Sequence, residues 1–132
     1  MNKFFLMACL ALTLTPLPAF SEDGEKIYKL FCSQCHGRTG NGKGINSESL
    51  TNNPLDHTDS AYMSSRTDKQ LEHVIKVGGI GISKSPVMPS WDRVFTDAQI
   101  KSLVAYLRKL CNCKYESIIS NLKLRSVDPG FR

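Results

Sequence analysis

Residues 29–44 read KLFCSQCHGRTGNGKG, and the reading of CSQCH at 32–36 decides how the chain folds. Two cysteines with two residues between them and a histidine directly after fit three chemistries: half of a zinc site, a redox-active dithiol, or a covalent haem attachment point. Each demands different surroundings. A structural zinc site takes four ligands, and the only other close pair, Cys111 and Cys113, has a tighter spacing than zinc pairs use. A redox dithiol of this kind sits between a strand and a helix, and the chain has no strand pattern of useful length. Haem attachment requires two thiols to meet the two vinyl groups of the macrocycle and an imidazole just beyond them to reach the iron. CSQCH supplies these groups in that order, so haem is the favoured reading.

The N-terminus supports it. Lys3 gives a positive start, Phe4 to Leu14 form an apolar run, and Ala19 and Ser21 place small residues at −3 and −1 of a cut after Ser21. This predicts a secretory signal peptide over 1–21. The run is too short for a retained anchor, which needs roughly 17–25 residues. Reading Cys9 in LMAC as an acylated lipoprotein cysteine leaves too few apolar residues before it. Export places the remaining cysteines, Cys32, Cys35, Cys111 and Cys113, in an oxidising compartment where unclaimed thiols form disulfides. Attachment to a macrocycle explains how the first pair escapes that fate.

The 132 residues carry 17 Lys and Arg against 12 Asp and Glu, a formal net charge of +5. The charges are scattered rather than gathered in a stripe. That distribution favours steering toward acidic surfaces over nucleic-acid binding.

Around the motif the chain reads as helices and loops. Ile27, Leu30 and Phe31 give a helical stripe running into Cys32. GRTGNGKG follows, four glycines in eight residues, a loop whose Lys is not succeeded by the Ser or Thr of a phosphate cradle. Residues 45–65 are polar, with one short helical turn expected near Ser60 to Met63. TDKQLEHVIKVGG predicts a second helix, opened by Thr67 and Gln70 in capping-box spacing and stopped by Gly78. Pro86 and Pro89 make a stiff extended loop around Val87 and Met88. FTDAQIKSLVAYLRKL repeats the capping signal with Thr96 and Gln99, then presents Ile100, Leu103, Val104, Leu107 and Leu110 on one face. A tail from Lys114 carries Ile118, Ile119 and Leu122 at helical spacing.

With His36 on one face of the iron, the other face has four candidates: Met88, Met63, His57 and His73. Met88 is favoured because its flanking prolines restrict the backbone around the thioether. Met63 reads as apolar packing. His73 lies on a charged helical stretch and reads as a solvated face, while His57 lies in a polar loop and is a minor candidate.

CSQCHGRTGNGKG, YMSSRTDKQLEHVIKVGG, SPVMPSW and FTDAQIKSLVAYLRKL, in this order, resemble the class I monohaem c-type cytochromes of bacteria over about Gly24 to Leu110. The resemblance implies a small all-α fold in which the N- and C-terminal helices cross around one covalent haem c, with Gly24, Tyr28 and Tyr106 at the crossing. It implies Cys32 and Cys35 as the thioether residues, His36 as proximal and Met88 as distal iron ligand. It also implies a periplasmic one-electron carrier rather than an enzyme, a signal peptide over 1–21, the cytochrome domain over 22–113 and an extension over 114–132. A haem subunit docked permanently to a larger redox enzyme is the alternative, and a gas-binding or peroxidatic protein a third. Arg38, Lys43 and Lys84 are candidates to guide acidic redox partners, and Trp91 to lie near a propionate. No nucleic acid and no membrane span after cleavage are expected. The pair Cys111 and Cys113 extends beyond the resemblance and suggests a disulfide-linked dimer.

Overall fold

The computed structural model describes residues 24–116, so the expected signal peptide over 1–21 and the helical spacing at Ile118, Ile119 and Leu122 lie outside the described residues. Every regular element within that range is helical. A first helical run comprises α1 (Gly24–Ile27), a π-helical turn (Tyr28–Cys32) and α2 (Ser33–His36). A 3-10 turn (Ser47–Ser49), α3 (Ser60–Ser64), α4 (Asp68–Gly81) and α5 (Asp97–Leu110) follow. The all-α expectation holds.

Both long helices begin where their local chemistry places them. Thr67 and Thr96 each accept from the amide three residues on, while Gln70 and Gln99 return a side-chain oxygen to the threonine amide. Two otherwise unpaired backbone donors are satisfied at each start. From α5, Ile100, Leu103, Val104 and Leu107 are all buried, as their spacing predicts, whereas Leu110 at the end is only partly covered.

The first run crosses α5 at backbone contact. A Cβ on Gly24 would fall on the carbonyl of Ser102, so glycine alone lets the two helices approach this closely. One turn on, the Tyr28 ring packs on Tyr106 with centroids 5.3 Å apart. Gly24, Tyr28 and Tyr106 thus mark the crossing, as expected.

Two local expectations are corrected. The stripe Ile27, Leu30, Phe31 does not face inward as one: Ile27 is buried, but Leu30 is 59% and Phe31 46% exposed. The reason is the π turn, in which the Ser33 amide bonds to the carbonyl of Tyr28, five residues back, and rotates the following residues out of 3.6-residue phase. Gly78, read as a helix stop, does break the helix with φ +68°; what the reading missed is that helical structure resumes beyond it as far as Gly81.

At the other end, Arg108 ties α5 to the α3–α4 junction. Its guanidinium donates to the carbonyls of Met63 at 2.6 Å and Arg66 at 2.5 Å, and its Nε donates to Asp68 Oδ1 at 2.8 Å. Met63 is fully buried, which agrees with its reading as packing. Just beyond, Cys111 and Cys113 are joined to each other within the chain. Both sulfurs are taken up in that local pairing, which is the alternative to the bridge between chains suggested above. Helix α5 ends at Cys111, and Asn112 turns the backbone with φ +47°, a conformation asparagine tolerates better than most residues.

Candidate functional site

CSQCH occupies the C-terminal end of the first helical run, where the last carbonyls lack partners inside the helix. The glycine-rich loop provides them. It folds back so that the amides of Gly42, Gly44 and Asn46 donate to the carbonyls of His36, Cys35 and Gln34 at 2.9, 3.0 and 2.9 Å. A side chain at Gly44 would strike the Gln34 carbonyl, which accounts for a glycine there. The loop that looked like punctuation in the sequence is therefore a cap that holds the motif in helical form.

Cys32 and Cys35 are unpaired and partly exposed. Burial, reinforced by the neighbouring Cys35, pushes the Cys32 thiol up to about 12. A redox-active dithiol depends on a thiolate of depressed pKa, so Cys32 has the wrong electrostatics for that role. The alternative zinc pair is absent as well, since Cys111 and Cys113 are bonded to each other rather than turned to Cys32 and Cys35.

His36 is fixed through Nδ1, which lies 3.0 Å from the carbonyl of Leu55. A carbonyl only accepts, so Nδ1 carries the proton and Nε2 presents its lone pair. Burial lowers the pKa of His36, opposed in part by the Leu55 bond, and keeps the ring neutral near pH 7. Two thiols followed by an imidazole with a free, directed lone pair form the donor set that a covalent haem requires. The residues present fit that group.

Met88 lies in the loop after α4, drawn close by the Gly78 kink. The amide of Gly79 donates to the Met88 carbonyl at 3.0 Å, and a Cβ on Gly78 would lie 2.7 Å from that carbonyl oxygen. The same loop is tied to α4 by the Trp91 amide on the Ile75 carbonyl and by the Ser90 hydroxyl on the Lys76 carbonyl. Trp91 stacks on Phe95 with centroids 5.1 Å apart and meets Phe31 edge-on. Packing in an aromatic cluster is thus its observed role. Arg38, Lys43 and Lys84 are all exposed.

His57 departs most from its sequence reading. Though its loop reads as polar, it is only 9% exposed and its ring lies on that of His36, with centroids 4.3 Å apart and planes 15° from parallel. Two imidazoles stacked face to face would not hold one iron between them, so the stack speaks against His57 as a second ligand beside His36. His57 was missed because its spacing signals nothing; its burial comes from a hydrogen bond of its amide to the Gly40 carbonyl and from Tyr28, both distant in sequence.

No helix among the described residues is long and apolar enough to cross a membrane. The chain matches, over residues 19–107, the family model described as cytochrome c oxidase, cbb3-type, subunit III. No curated protein matches it. Among solved structures it is similar to a chain of the Kuenenia stuttgartiensis reducing HAO-like protein complex Kustc0457/Kustc0458, with 30% identity and a TM-score of 0.57. That likeness covers 67% of this chain but 41% of the other, so this chain corresponds to less than half of its relative. It is also similar to the KustC0563 c-type cytochrome, with 26% identity, a TM-score of 0.54 and coverage of 67% and 96%. The helical fold, the CSQCH site with its oriented imidazole and the family match over most of the chain lead to one conclusion: this protein belongs to the cbb3-type cytochrome c family, binds haem c covalently and serves haem-based electron transfer.

Proposed function

We propose that the protein is a periplasmic one-electron carrier in which Cys32 and Cys35 form the thioether links, His36 is the proximal ligand and Met88 the distal one. The observation that carries this reading is the Leu55 carbonyl bond at 3.0 Å, which directs the His36 lone pair outward immediately beyond two unpaired thiols. The bound haem supplies a single electron at a time through its iron. The chain's own residues set the conditions for that exchange. Cys32 and Cys35 fix position, His36 and its Leu55 bond fix one axial direction, and the Gly78 kink with the two prolines holds Met88 in a restrained loop. With both His36 and Met88 holding the iron, no position would remain open for a substrate, and the thioether with the imidazole would favour the ferrous form and raise the potential. Low dielectric around the site acts in the same direction, since it disfavours the form with the extra charge. The exposed Arg38, Lys43 and Lys84 are assigned to guiding acidic partners.

Potentiometric titration with visible spectra, comparing the native holoprotein with Met88→Ala, tests the ligand set. The potential should fall and the spectrum change; a variant indistinguishable from native would remove Met88 from the iron. Ready binding of carbon monoxide by the native ferrous protein would favour a gas-binding role instead.

A second reading, a haem subunit held within a larger redox assembly, has its own support. The family description names an oxidase subunit, and the Kuenenia chain that shares this fold is longer and belongs to a complex. Size-exclusion chromatography of the protein from its native source separates the two: a carrier elutes alone, a subunit with constant companions.

A further inference from the structure

The stack of His57 on His36 has no role in the reading above, and its geometry is unusually well constrained. Three contacts hold His57: its amide on the Gly40 carbonyl at 2.6 Å, its ring on His36, and its Nδ1 at 3.4 Å from the Tyr28 hydroxyl. The tautomer follows from counting protons. Tyr28 has one hydroxyl proton, and the Gly37 carbonyl, 3.0 Å away, can only accept it. The weaker contact to His57 is then satisfied when His57 Nδ1–H donates to the tyrosine oxygen. Tyr28 is itself fully buried at the crossing with α5, so this clamp is anchored in the core of the fold.

His36 needs such a clamp. The Leu55 carbonyl holds Nδ1 from one edge of the ring, but a single in-plane bond leaves the ring free to twist about it. A flat partner on the face blocks that twist. We propose that His57 is a positioning residue for the proximal histidine: clamped by Tyr28, its imidazole braces the face of His36 and fixes the plane of that ring about its bond to the iron. The Leu55 carbonyl sets where the nitrogen points, and His57 sets how the ring is turned. This inference rests on the reading of His36 as an iron ligand.

The orientation of an axial imidazole plane decides how unpaired electron density is distributed over a ferric haem, so it can be read independently of electron-transfer activity. The test compares proton NMR of the ferric holoprotein, and its low-temperature EPR g values, for native protein, His57→Ala, His57→Phe and Tyr28→Phe. His57→Ala should displace the haem methyl resonances well beyond their line widths and alter the g values, with haem attachment and visible spectrum retained. His57→Phe keeps a flat face and should lie closer to native than the alanine variant does. If His57→Ala fails to accumulate, Tyr28→Phe gives the same reading with the ring volume kept, and should shift the methyl resonances in the same sense. An unchanged methyl pattern in whichever of these variants folds would overturn the bracing role while leaving His36 ligation intact. If the native protein shows no paramagnetically shifted axial-histidine resonances, the ligand assignment falls, and this inference with it.

Discussion

The amide of Gly24 donates to the hydroxyl of Ser102 at 3.0 Å, so two residues at opposite ends of the described chain meet at a backbone-to-backbone crossing. A methyl group on Gly24 has nowhere to go, because it would lie against the Ser102 carbonyl and 2.7 Å from the Leu103 amide. Gly24→Ala should therefore destabilise by overpacking, about 1–3 kcal/mol or more, although alanine is the better helix former. Lys26→Ala on the exposed side of the same turn should stay within about 0.5 kcal/mol of native. Denaturant midpoints of the two holoproteins make the comparison, and equal midpoints would mean the helices cross elsewhere.

The guanidinium of Arg108 is expected to matter for the carbonyls it holds more than for its ion pair. Asp68 is 63% exposed, so Asp68→Asn should cost under about 1 kcal/mol. Arg108→Lys keeps the charge but not the planar fork, leaving at least one of the Met63 and Arg66 carbonyls without its donor, at about 1–3 kcal/mol. Thermal unfolding of both variants ranks them. A larger loss from Asp68→Asn would reverse the assignment.

Alkaline stability should carry the signature of Tyr28. Burial raises the pKa of its hydroxyl, with smaller contributions from Cys32, Tyr106 and Asp56. In the unfolded chain this group ionises near its ordinary value of 10.0, while in the fold it stays neutral to higher pH. The unfolded state thus holds fewer protons above that pH, and stability falls as pH rises further. Tyr28→Phe should be less stable than native at neutral pH but lose stability less steeply above pH 10.0. Parallel slopes for the two proteins in urea melts would show that Tyr28 does not titrate differently in the two states.

In the chain cleaved after Ser21, which lacks Cys9, the bridge between Cys111 and Cys113 should leave the holoprotein without a free thiol if Cys32 and Cys35 form the proposed thioether links. Denatured, unreduced holoprotein should take up no alkylating reagent, and its mass on gels should be that of one chain with or without reductant. A band at twice that mass, lost on reduction, would restore the pairing between chains.

How much of this was legible in the sequence depended on how local each signal was. The starts of α4 and α5 were, because a capping box is complete within four residues, Thr67 to Gln70 and Thr96 to Gln99. CSQCH was too, since its chemistry is written in adjacent residues. The burial of His57 was not: it depends on Gly40 and Tyr28, which reach it only once the glycine loop has folded back over the helix end. Leu30 and Phe31 were assigned to the wrong side because a 3.6-residue period was applied across a turn that does not keep it. Gly78 carried the right signal for a break, but whether helix resumes after a glycine depends on what lies against it, here the backbone of Met88 and Pro89.

The π turn at Tyr28–Cys32 separates two duties of a single helix. Gly24 and Tyr28 meet α5, whereas Cys32, Cys35 and His36 are the residues proposed to hold the haem, and a regular helix would lock both sets to one angular relation. An extra residue in one turn uncouples them, with the Ser33 hydroxyl donating to the Lys29 carbonyl at 2.7 Å within that wider turn. The wider turn thus sets the bearing of CSQCH separately from that of Gly24 and Tyr28 at the helix crossing.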